Sequence, residues 1–294
     1  MNMVGLTSGS NEETKIHHAV SRDGTGIAGR FHGQGPPLVL LPAGPGDSRL
    51  CWQYVLPYLS KQFTCYLMDT RGRGLSAEHH DHSRESLVQD IIAFAESIGQ
   101  PVGLVELGDC LWSLAAAQSN PAIASVAAYD PGVDEAMSGE DARRLMEVVE
   151  RVAQAVEKDR LEEAARIVIE GIPIYTPEEL AEGTPLNFWM EASSNIPLFL
   201  REQQAGEPEG HDLTDPSILT RIKIPVLLMN GARSHPFFRD SVDYLARHLA
   251  DSRVAMVAEA GHFGPHTRPE AIAKELNRFF AEVFEAGDND RISG

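Results

Sequence analysis

The chain has 294 residues and a formal net charge of −18, long enough to bury most of its apolar surface as one large α/β domain or as a core with an insertion. The charge repels nucleic acid and anionic lipid, so neither is an expected partner. Three widely spaced cysteines without a CxxC pair suggest no disulfide framework and no zinc site, and no basic stretch leads into an apolar run of spanning length, so a cytoplasmic chain that neither enters a membrane nor is exported is expected.

Residues 14 to 35 alternate apolar and polar side chains around Arg22-Asp23-Gly24-Thr25-Gly26, the pattern of an antiparallel hairpin. The runs at 37 to 41, 65 to 68, 101 to 107 and 125 to 129 are of another kind. They are short and continuously apolar, as in strands buried on both faces of a parallel sheet. Helical patterns at 50 to 61, 84 to 98 and 111 to 119 lie between them, each long enough for a right-handed crossover.

The alternation stops after Asp130-Pro131-Gly132. Residues 139 to 170 are rich in Ala, Glu, Arg and Leu with apolar spacing near 3.6, and 171 to 222 show no strand-like alternation. Strand character resumes at 224 to 229 and 253 to 258, separated by a helix over 238 to 250, and a last amphipathic helix begins at Pro269. The expectation is an α/β core formed by 1–132 and 223–294, with a mainly parallel sheet and helices on both faces, carrying a helical cap inserted at 133–222.

Three loops follow expected parallel strands, and in open α/β sheets ligands bind outside the carboxyl ends of the strands. They are Pro42-Ala43-Gly44-Pro45-Gly46-Asp47, Gly108-Asp109-Cys110-Leu111-Trp112-Ser113 and Ala260-Gly261-His262-Phe263. With Asp69-Thr70-Arg71-Gly72-Arg73-Gly74-Leu75-Ser76, which matches a D-x-R-G-x-G-x-S turn, they resemble the α/β-hydrolase superfamily and, within it, the proline iminopeptidase-like peptidases. The resemblance implies that PAGPG is the oxyanion loop and that Cys110 stands at the nucleophile of the G-x-S-x-G elbow. It further implies an oxyanion hole from the amides of Leu111 and Gly44, and places the base at His262.

The departures from that pattern bear on the chemistry. Cys110 replaces Ser, Trp112 replaces a small residue, Pro42-Ala43 replaces His-Gly, and Ser234 stands where the resemblance expects the acid. Asp130 and Asp134 are candidates for a relocated acid, although Asp-Pro is also an ordinary strand terminator. Phe188 and Trp189 are expected either to line the pocket or to form the cap's own core. His79-His80-x-His82 lacks the carboxylate spacing of a metal site and is expected at the solvated surface. No metal or cofactor is called for, and the expected partner is a small-molecule or peptide substrate.

Two enzymatic readings follow. A Cys110–His262 pair acting through an acyl-thioester gives a hydrolase, thioesterase or peptidase. Without an orienting acid, the amide donors and a base instead favour proton abstraction beside a carbonyl, hence isomerisation or epimerisation of a peptide-like natural product. The missing acid tips the sequence reading towards the second, and a non-catalytic binding protein is a third alternative.

Overall fold

A computed structural model describes residues 15–108, 111–172, 174–204 and 215–293. The first half runs β1 (Lys15–Val20), β2 (Gly26–His32), β3 (Pro37–Leu40), α1 (Ser48–Trp52), α2 (Leu56–Leu59), β4 (Thr64–Met68), α3 (Arg84–Ser97), β5 (Val102–Leu107), α4 (Leu111–Ser119) and β6 (Ile123–Tyr129). Five helices with a short tail follow: α5 (Gly139–Glu157), α6 (Leu161–Gly171), α7 (Pro177–Glu182), α8 (Thr184–Glu191), α9 (Ile196–Gln204) and the single turn α10 (Pro216–Leu219). The chain closes with β7 (Val226–Gly231), α11 (Pro236–His248), β8 (Ser252–Val257), α12 (Gly264–Thr267) and α13 (Pro269–Ser293).

The eight strands form one sheet in the order β1-β2-β4-β3-β5-β6-β7-β8. Only β2 runs against its neighbours; from β4 to β8 every pairing is parallel. This is the α/β-hydrolase architecture the sequence suggests. Strand β3 lies between β4 and β5, so the chain leaves it towards one side and later returns on the other. Such a reversal opens a crevice at the carboxyl ends.

The continuous apolar runs are explained by the two faces. Leu38 and Leu40 enter one apolar cluster while Val39 and Leu41 enter the other, so each residue of β3 has a core to fill. Helices α3, α4 and α11 supply the second cluster, and α1, α2 and α13 the first. The helices between β6 and β7 add Val148, Val152, Ala164, Val168 and Phe188 to that same first cluster, so they pack onto the core.

Two boundaries differ from the sequence reading. A single helix expected over 50 to 61 is two short ones, because Pro57 has no N–H to continue the ladder from α1. Strand β7 begins at Val226, because Pro225 cannot donate to a neighbouring strand.

Candidate active site

The loop after β3 is fixed at nearly every residue. Trp52 Nε1 donates to the Leu41 carbonyl (2.7 Å), the Ala43 amide donates to Cys51 Sγ (3.3 Å), and Arg73 Nη2 donates to the Gly44 carbonyl (3.2 Å). Asn195, in the turn before α9, donates to the Pro45 carbonyl (3.0 Å). Gly44 itself has φ of 55°, a left-handed conformation that favours glycine. Among the described residues its amide has no hydrogen-bond acceptor.

At the end of β5, Gly108 has φ of 71° and is held by the neighbouring strand end, donating to the Tyr129 carbonyl and accepting from the Gly132 amide (both 2.9 Å). Helix α4 begins at Leu111, directly after Asp109 and Cys110 in the sequence. These two residues lie outside the described ones, as does the Leu111 side chain. The Leu111 amide belongs to the first turn of α4, whose N–H groups have no acceptor within the helix. Trp112 is half-buried, packs against the α3–α4 side of the core, and lines the crevice.

His262 lies in the loop between β8 and α12, with its ring stacked on Phe238 of α11 at a centroid distance of 4.5 Å. Its Nδ1 lies 3.1 Å from Asp130 Oδ2. Asp130 follows directly after β6 and is fully buried, and its φ of 48° turns the carboxylate towards the His262 loop. Aspartate tolerates this conformation better than most side chains. Ser234 Oγ donates to the same Oδ2 (2.6 Å) and the Gly231 amide donates to Oδ1 (3.1 Å). A carboxylate only accepts, so the His262 proton is placed on Nδ1 and the Nε2 lone pair is left available.

No carboxylate stands at position 234, and the one beside His262 is that of Asp130, one of the two candidates named from the sequence. Ser234 does stand after β7, but its hydroxyl anchors an acid supplied from the adjacent strand. Asp134, the other candidate, is exposed in a short turn at the cavity mouth.

The His262 loop is clamped on both sides. Tyr129 donates its hydroxyl to the Gly261 carbonyl (2.6 Å), and the Phe263 amide donates to Glu179 Oε1 of α7 (2.7 Å). Burial, with Asp130 nearby, pushes the Tyr129 hydroxyl well above its usual range, so it remains a donor. Nothing in the residue types of Tyr129, Phe238 or Glu179 marks them as parts of this site. The Thr176-Pro177-Glu178-Glu179 capping pattern could have located α7, but not the second partner of Glu179.

A cavity of ≈ 1130 Å³ joins these parts, with Gly44, Trp112, Phe188, Trp189 and His262 in its wall. The two readings of Phe188 and Trp189 hold together. Both line the cavity and both are buried in the insertion, where Trp189 Nε1 donates to the Tyr175 hydroxyl (3.1 Å) and Phe188 packs on Phe263.

Arg73 and Glu202 also reach the cavity wall as a buried bidentate ion pair, with both contacts at 2.7 Å. His82 is buried beside Glu202 and Glu78, which corrects its expected place at the solvated surface. Glu202 first, then Glu78, raises the imidazole above its ordinary value against the cost of burial. Asp69 and Arg71 serve structure. Asp69 accepts from Ser48 and from the Leu75 amide, and Arg71 makes a two-point pair with Asp90. Among the described residues no cluster of His, Cys, Asp or Glu has a metal-holding arrangement, and no helix is long and apolar enough to cross a membrane.

Comparisons with known proteins agree with the fold. The profile described as "Alpha/beta hydrolase family" matches residues 38–275. N-formylmaleamate deformylase of Pseudomonas putida is 25% identical over 257 residues, covering 86% of this chain and 88% of that protein. An alpha/beta hydrolase from Sphaerobacter thermophilus superposes with a TM-score of 0.71 at 23% identity, over 90% of this chain and 100% of that one. The esterase RhEst1 from Rhodococcus sp. gives 0.72 at 19%, over 91% and 99%. At such identities the two structures speak to the fold alone.

Proposed function

The chain belongs to the alpha/beta hydrolase family, and within it we propose that it is an acyl hydrolase acting on an ester or amide with Cys110 as nucleophile, His262 as base and Asp130 as orienting acid. The contact between His262 Nδ1 and Asp130 Oδ2 carries the reading. It supplies the group whose absence favoured proton abstraction, so the preference drawn from the sequence reverses.

In the proposed mechanism His262 Nε2 takes the thiol proton as sulfur attacks the substrate carbonyl carbon. The resulting oxyanion is held by the amides of Leu111 and Gly44. Collapse breaks the bond to the leaving oxygen or nitrogen, which departs with the proton from His262 and leaves an acyl-thioester. Water, deprotonated by His262, then attacks the thioester and releases the carboxylic acid. Asp130 keeps the imidazole in the right tautomer and offsets its positive charge.

The relative named N-formylmaleamate deformylase supports an amide as one substrate type. The cavity volume and a wall that includes Leu145, Met146, Val149, Phe188 and Trp189 favour a bulkier, apolar acyl or leaving group than formyl. Among amides, the peptide-like class suggested by the loop motifs is the first to try. The segment 133–222 is proposed to act as a cap over the cleft.

Intact-mass analysis after brief exposure to a p-nitrophenyl ester tests this. The expected result is one acyl group, mapped to Cys110 and absent from Cys110→Ala, with turnover lost in that variant. Full turnover by Cys110→Ala would refute the reading. A substrate converted at unchanged mass, with deuterium taken up from D₂O beside its carbonyl, would restore the isomerase.

A further inference from the structure

We infer that Glu179 is a positioning residue for His262, so that the helical insertion must be seated on the core for the base to be aligned. Two independent features support it. The first is the bonding of one buried carboxylate. Oε2 accepts from the Thr176 amide (2.9 Å), closing the capping box of α7, while Oε1 accepts from the Phe263 amide (2.7 Å) in the His262 loop. Satisfying a helix start needs only the first of these.

The second feature is the shape of the loop. A Cβ on Gly261 would fall 2.7 Å from both Glu179 oxygens and 2.6 Å from Thr176 Cγ2, so a side chain there would collide with α7. The residues on either side of His262 are thus held from two directions: Gly261 by Tyr129 of the core and Phe263 by Glu179 of the insertion. If α7 lifts, the Phe263 amide loses its acceptor and the His262–Asp130 alignment loses one of its two clamps.

The inference concerns His262 whatever the reaction. It rests on the acyl-hydrolase reading only where turnover is the readout. The test compares Glu179→Gln with Thr176→Val in the full chain. Gln can accept one amide but not both, whereas Val removes the threonine hydroxyl from the cap and leaves the carboxylate on Phe263.

In Glu179→Gln, Phe263 amide exchange is expected to accelerate about 10-fold or more and the His262 Nδ1–H resonance to broaden. Hydrolysis of a p-nitrophenyl ester is expected to lose about 10- to 100-fold in kcat, since a misplaced catalytic group costs rate more than binding. KM stays within about threefold. Thr176→Val is expected to keep the wild-type Phe263 signal and kcat.

Equal losses in both variants would reduce Glu179 to a helix cap and overturn the inference, as would unchanged Phe263 exchange in Glu179→Gln. Should that variant not fold, exchange in the wild-type chain decides. Phe263 and Thr176 amides then open together if the inference holds, and Phe263 stays closed while Thr176 opens if it does not. A chain that hydrolyses no ester but shows the exchange pattern rejects the acyl-hydrolase reading and keeps this one.

Discussion

Asp130→Asn isolates the acid while keeping the shape of the site. Asparagine tolerates the left-handed conformation at φ of 48° better than most residues, so the backbone needs no adjustment. Its Oδ1 still accepts from the Gly231 amide, but an NH₂ now faces His262 Nδ1 where a carboxylate oxygen stood at 3.1 Å. Two donors cannot face each other, so the imidazole adopts the other tautomer and its proton moves to Nε2. Nε2 then has no lone pair for the thiol proton.

In a serine triad the same change costs about 10⁴ in kcat, or roughly 5.5 kcal/mol. A thiol is partly ionised without help, so the expected loss here is smaller, about 10²- to 10³-fold in kcat/KM, or roughly 3 to 4 kcal/mol. Losing the charge-assisted bond from Ser234 Oγ costs about 1–3 kcal/mol of stability, which urea unfolding reads separately. The assay is p-nitrophenyl ester hydrolysis alongside the His262 ring-proton spectrum. Activity within about threefold of wild type, with the Nδ1 proton still in place, would refute the role given to Asp130.

Ser234→Asp puts a second carboxylate where a hydroxyl now donates to Asp130 at 2.6 Å; two carboxylates so close cannot both ionise, so both Tm and kcat/KM are expected to fall, and a gain in esterase activity would count against Asp130 as the acid. Arg73→Met removes the two-point partner of the buried Glu202 and leaves, among the described residues, only His82 beside it, and is expected to cost about 3–5 kcal/mol in urea unfolding, with most of it recovered in Arg73→Met/Glu202→Leu; a single variant within about 0.5 kcal/mol of wild type would show that the pair is not buried in solution. Burial pushes the Cys51 and Cys65 thiols up to about 12, so near pH 8 only ~10⁻⁴ of each is thiolate, and iodoacetamide is expected to label Cys110 alone in the folded chain. Peptide mapping that finds Cys51 alkylated as fast would contradict this.

The succession of parallel strands could be read from the sequence because the inner ones are buried on both faces and so are apolar almost without interruption, as in Leu38-Val39-Leu40, whereas the edge strand β8 exposes Val254 and Met256. The three site loops could be read because they must follow strand ends. Asp130 could be named only as a candidate. A carboxylate before proline looks alike whether it ends a strand or orients a histidine, and the difference is a positive φ that no residue pattern displays. His82 was misplaced for a related reason. Its burial depends on Glu202, 120 residues away in the insertion, and polar neighbours in sequence gave no sign of it.

The placement of the acid follows from the pairing of β6 with β7. Register aligns Tyr129 with Met229, and the Asp130 amide still donates to the Met229 carbonyl (2.8 Å), so the first residue beyond β6 lies beside the last residues of β7. A carboxylate from either strand end can therefore reach the same side of the His262 ring. Once Asp130 occupies that position, a second acid at Ser234 would add only repulsion. A hydroxyl there does better, since it donates to the buried carboxylate and carries no charge. Ser234 and Asp130 thus make a consistent pair under the proposed reading, in which the serine that looks like a lost acid in the sequence donates a hydrogen bond to the acid proposed at Asp130.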